Sequence, residues 1–167
     1  MGKRVLCVLF AVSLSACSSE PVKEPAPAVA PPALNAAPAA AASAFPEKWS
    51  VTEGIDAPES VYVEPRSGDI YVSNVGGMPD QKDGNGRIAK LSADGKMVNP
   101  DWVTGLNAPK GLRSYQGTLW TCDIDEILGI DMASGNITSK IPVMDAMFLN
   151  DVATGGDGTV YVSDMLA

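Results

Sequence analysis

The chain has no histidine. That absence excludes Ser-His-Asp and Cys-His nucleophilic catalysis and any His-ligated zinc or iron centre within the chain. Basic charge is scarce as well: 12 Lys and Arg stand against 20 Asp and Glu, a formal net charge of -8, with a pI of about 4.4. Such a surface repels phosphate backbones, so nucleic acid is not an expected partner. Aromatics make up only 6% of the residues. No apolar run approaches the roughly twenty residues a membrane-spanning helix needs. Of the three cysteines, Cys7, Cys17 and Cys122, the first two lie near the N-terminus. Cys122 is left alone between Trp120 and Ile124, and is predicted to be a small buried strand residue.

Lys3 and Arg4 precede an apolar run from Val5 to Val12, followed by Ser13-Leu14-Ser15-Ala16-Cys17. This is the order of a secretory signal peptide, and Leu14-Ser15-Ala16-Cys17 resembles the lipobox of bacterial lipoproteins. The resemblance implies a signal over 1–16 and lipid attachment at Cys17. It places the mature chain in the bacterial cell envelope, membrane-bound through its lipid, with Ser18 pointing to the outer membrane and the periplasm. Several acyl chains at about 0.8 kcal/mol per buried methylene make such an anchor close to permanent. From 17 to 48 the sequence is dominated by Ala and Pro, with Glu20, Lys23 and Glu24 among its few charges. It buries too little apolar surface to fold and reads as a semi-rigid tether.

From 49 to 167 short runs of Val, Ile, Leu, Tyr and Trp are punctuated by Gly and Asp, with no sustained helical period, so an all-β domain is predicted. One pattern occurs three times: Gly68-Asp69-Ile70-Tyr71-Val72-Ser73-Asn74, Gly117-Thr118-Leu119-Trp120-Thr121-Cys122-Asp123 and Gly158-Thr159-Val160-Tyr161-Val162-Ser163-Asp164. Pro58-Glu59-Ser60-Val61, Pro109-Lys110-Gly111-Leu112 and Leu149-Asn150-Asp151-Val152 precede the three copies. The opening glycines are about 49 and 41 residues apart, the length of a four-stranded propeller blade. A partial β-propeller of about three blades follows. A closed propeller needs more, so the segment is expected to be the N-terminal part of a longer protein or a truncated gene product, exposing blade edges and marginal or self-associating unless a partner completes it.

The blocks from Pro58 to Val72 and from Leu149 to Asp164 resemble the senescence-marker-protein/gluconolactonase family and the related NHL-repeat propellers. The resemblance implies a six-bladed architecture with a divalent metal, commonly calcium, at the channel mouth. On it, Glu59 and Asn150 are the candidate metal ligands, and Lys110 and Asp151 are candidate substrate or channel-mouth residues; catalytic residues are not assigned. The repeat register independently sets Glu59, Lys110 and Asn150 at equivalent starts of the first strand of each unit. Two functions are open at this point: a lipid-anchored module that binds an envelope protein or a small lactone- or sugar-like ligand, and a metal-dependent lactonase-like hydrolase. Lys110 departs from an acidic and amide lining and favours the first. Asn74, Asp123 and Asp164 are expected to serve turns. The loop from Gly76 to Gly86 carries Asp80, Asp83 and Asn85 but lacks calcium-loop spacing; it reads as an insertion with a contact surface. Asn136-Ile137-Thr138 matches a glycosylation sequon, of little meaning in a bacterial chain.

Overall fold

The computed structural model describes residues 5–7, as backbone, and 47–167. Cys17 and the Ala/Pro tether lie outside the described residues, as does the signal segment apart from 5–7. The described chain is all-β, and no helix occurs among its residues. Trp49–Ala167 forms one compact unit, to which the three-residue strand β1 (Val5–Cys7) belongs.

Two sheets are four-stranded antiparallel meanders. The first is β2 (Pro58–Val63), β3 (Ile70–Asn74), β4 (Gly86–Leu91) and β5 (Met97–Leu106). The second is β6 (Pro109–Tyr115), β7 (Thr118–Asp123), β8 (Glu126–Asp131) and β9 (Ile137–Pro142). The third begins the same way, with β10 (Leu149–Thr154) antiparallel to β11 (Val160–Asp164), and β1 lies parallel on the other side of β11. The recurring sequence pattern is thus the second strand of each sheet together with the turn before it. Its opening glycine is explained by backbone geometry. Gly68, Gly117 and Gly158 all have φ between 76° and 85°, a region that costs a side-chain-bearing residue energy but costs glycine little. In the second sheet the turn is only two residues, Gln116-Gly117, both at positive φ, the geometry whose twist matches that of the flanking strands.

The middle sheet is apolar on both faces, and for that reason its strands read as continuous runs rather than alternating ones. One face packs Leu112, Leu119, Leu128 and Ile130 against Tyr71, Ile88, Val103 and Leu106 of the first sheet. The opposite face packs Trp120, Cys122 and Ile127 against Leu149, Val152, Val160 and Val162 of the third. Burying a side chain such as Leu119 or Ile127, both fully enclosed, contributes about 1.5–3 kcal/mol. The free face of the first sheet, with Ile70, Val72, Ala89 and Leu91, is covered by Val51 and Ile55 from the strap that precedes β2.

This packing sets the first strands of the three sheets side by side: β6 contacts β2 on one side and β10 on the other. Polar stitches join them. The Tyr62 hydroxyl and Ser114 Oγ are 2.7 Å apart, and Thr154 Oγ1 donates to the Ser114 carbonyl at 3.2 Å.

Candidate functional site

The three first strands share an irregularity near their starts. Between Pro58 and Ser60, between Pro109 and Leu112, and between Leu149 and Val152, each strand carries one residue more than its partner. A bulge of this kind leaves an N–H without a ladder partner and re-aims the side chains beside it. The next-to-last residue of the second strand answers the first requirement. Ser73 Oγ accepts the Ser60 N–H at 3.0 Å, and Ser163 Oγ accepts the Asp151 N–H at 3.1 Å. In the middle unit Cys122 holds this place, and its thiol donates to the Asp151 carbonyl of the next sheet at 3.5 Å.

The last residue of each second strand performs a further task. Asn74 Oδ1 accepts the Asp56 N–H at 2.9 Å. The Asp123 carboxylate accepts the N–H groups of Asn107 and Ala108 at 2.8 and 2.6 Å, and that of Asp164 accepts those of Met147 and Phe148 at 2.7 and 2.9 Å. All three therefore fasten the loop entering their own first strand, the turn-serving role the sequence suggests for them.

Glu59, Lys110, Asn150 and Asp151 all stand at these bulges. Glu59 feels the charges of both Lys110 and Asp151 across the strand starts. Lys110 is the buried member, at 2% exposure, while Glu59 and Asp151 are exposed and Asn150 is half-buried. The Lys110 ammonium donates to the carbonyls of Ala108 at 2.7 Å and Pro79 at 2.9 Å, and lies 4.7 Å from the centre of the Phe148 ring. Burial pushes its pKa down from the ordinary lysine value, against the pull of Glu59, Asp123, Cys122 and Asp80. Glu59, although accessible at the surface, has its carboxyl partly stripped of water; that pushes its pKa up, Lys110 opposing and Asp151 adding to the rise. Gly111 allows the close approach behind this rim. A Cβ there would stand 2.9 Å from both the Asp151 Cα and the Val152 nitrogen, and closer still to Asp151 Oδ1.

Sequence reasoning misses the contribution of the loop between β3 and β4. Through Pro79 it closes on Lys110, and through Lys82 it reaches Asp125 at 2.6 Å. Nothing local in the sequence signals either contact; the only hint is the length of the insertion.

A divalent cation held by Glu59 and Asn150 is what the family resemblance implies. The donor set does not favour it. A buried ammonium already brings positive charge to this place, and while protonated it offers no lone pair to a metal. No protein-family model matches the chain, and no curated protein matches its sequence. The functional reading therefore rests on the fold and on this rim.

Proposed function

We propose that the three sheets are successive blades of a β-propeller, and that the chain is a lipid-anchored binding module of the cell envelope whose rim of Glu59, Lys110 and Asp151 receives a partner. The observation that carries this reading is the bulge at the same point of three neighbouring first strands, beside which Glu59 of the first sheet feels the charges of Lys110 of the second and Asp151 of the third. Equivalent strand starts around a common axis are what a propeller requires, and its mouths are where such folds bind ligands.

The rim is acidic at its surface, through Glu59 and Asp151, over the fixed, buried Lys110, on which Asp80 also acts. Lys110 offsets the mutual repulsion of the carboxylates without the help of an added ion. The partner is therefore a protein or small molecule that presents hydrogen-bond donors or positive charge, consistent with the overall charge of -8.

Affinity capture from detergent-solubilised envelope, with the full chain as bait, tests the reading. A partner retained by the wild-type chain and lost with Glu59→Gln combined with Asp151→Asn is the expected result. Lactone hydrolysis that requires added calcium or zinc and disappears in Glu59→Gln would replace this reading with the hydrolase. Cys17 is tested separately by incorporation of labelled palmitate, expected in the wild type and absent in Cys17→Ser.

A further inference from the structure

At the end of the sheets opposite the bulges, a cleft of about 620 Å³ opens between the first and second sheets. It is formed by the turns that leave β2, β6 and β8. Its volume lies in the range of small-ligand sites, and nothing in the rim chemistry uses it. Tyr62 and Tyr115, both half-buried, give it aromatic surface over the buried Tyr71, and the Tyr62–Ser114 hydroxyl pair at 2.7 Å joins its two walls.

Of the charges in the cleft, Lys90, Asp69, Glu64 and Asp131 are committed to one another or to neighbouring polar groups, and Arg66 acts on Glu64 by charge alone. Lys90 Nζ lies 2.9 Å from Asp69 Oδ2 and 5.5 Å from the centre of the Tyr71 ring. Glu64 accepts the N–H groups of Ser67 and Arg66 at 2.6 and 2.8 Å through one oxygen, and Asp131 accepts the N–H and hydroxyl of Ser134, likewise through one oxygen. An incoming cation would meet Lys90 and Arg66, and an incoming anion would meet Glu64, Asp69 and Asp131. An ion of either sign that binds at the Lys90–Asp69 pair would have to disrupt it. A neutral ligand would not. It would find hydroxyl and carboxylate partners on both walls and a tyrosine ring to lie against.

We infer that this cleft binds a neutral polyhydroxylated molecule of mono- to disaccharide size, at a site separate from the acidic rim.

The test is a titration of the isotopically labelled full chain with maltose, cellobiose and chitobiose, followed by amide chemical shifts and by saturation transfer to the sugar ring protons. Saturable shifts at Glu64–Asp69 and at Gln116 and Gly117 are expected with at least one of the sugars. Tyr62→Phe, which keeps the ring, and Asp131→Asn, which keeps an acceptor for Ser134, should each weaken binding about tenfold, the effect of one lost hydrogen bond. Glu59→Gln should leave it unchanged, which separates this site from the rim. The inference is overturned if no sugar produces saturable shifts up to its solubility limit, if the shifts fall at the bulges instead, or if spermidine or pyrophosphate occupies the cleft in preference to all three sugars.

Discussion

Replacing Asp123 by alanine removes the acceptor that fastens the entry to β6. The carboxylate is 1% exposed, so water cannot take its place. Two backbone N–H groups, those of Asn107 and Ala108, would lose partners now at 2.8 and 2.6 Å, and Lys110 would lose one of its attracting charges. An orphaned buried donor costs about 1–3 kcal/mol, so Asp123→Ala should destabilise the fold by about 3–5 kcal/mol. That is a large share of the roughly 5–15 kcal/mol typical of a domain. The molecule supplies its own controls. Asn74 holds the equivalent place in the first unit with an amide oxygen, so Asp123→Asn should cost only about 1–2 kcal/mol. Asp164 is less deeply buried; water can satisfy what Asp164→Ala exposes, and its cost should also be about 1–2 kcal/mol. Urea unfolding followed by fluorescence of Trp102 and Trp120 measures all three. The reasoning fails if Asp123→Ala costs less than about 1 kcal/mol, or if Asp164→Ala equals it in cost.

Gly111→Ala places a methyl group against the Asp151 and Val152 backbone and should cost about 1–3 kcal/mol of overpacking, read as a lowered melting temperature. Glu59→Gln should be more stable than the wild type at pH 7. The raised pKa means that the ionised carboxyl opposes folding above its folded-state value, so the advantage should shrink as pH falls through that value and be absent below 4.5, which denaturant titrations across pH 4–7 would show. Asp164 behaves with the opposite sign. Burial pushes its pKa up, but the N–H groups of Met147, Leu166 and Phe148 outweigh it and hold the carboxyl below 3.8; its contribution to stability is full above 3.8 and is lost as pH falls through the folded-state value, so Asp164→Asn should lose less stability on acidification than the wild type. The Cys122 thiol, pushed up to about 12 mainly by burial, should resist iodoacetamide at pH 8 in the folded chain and react at an ordinary rate in urea.

The three-unit organisation was legible in the sequence because it rests on local necessities. A glycine is needed where φ is positive, β-branched and aromatic residues suit a half-buried or buried strand, and an Asx side chain suits the strand end, and these recur at nearly fixed spacing. The correspondence of Glu59, Lys110 and Asn150 was legible for the same reason. The bulges were not, because an extra residue in one strand appears only when its pairing partner is known. Nor was the burial of Lys110: a lysine after proline gives no sign that a loop some thirty residues earlier in the chain will present a carbonyl to it. Position alone sets Asn150 equivalent to Glu59, yet the third sheet's charge that reaches Glu59 belongs to the neighbour of Asn150, Asp151, since the bulge carries both residues.

The carbonyl before each first strand has its own consequence. Ala57 and Phe148 offer theirs to the main-chain N–H groups of Val75 and Met165, whereas Ala108 offers its carbonyl to the Lys110 ammonium. In the middle unit a side chain serves where the flanking units use peptide groups, so the scaffold itself immobilises the Lys110 charge. Lys110 cannot swing out to grasp a visitor without orphaning two oxygens. At the rim proposed above, an arriving partner would meet the Lys110 charge already set in place.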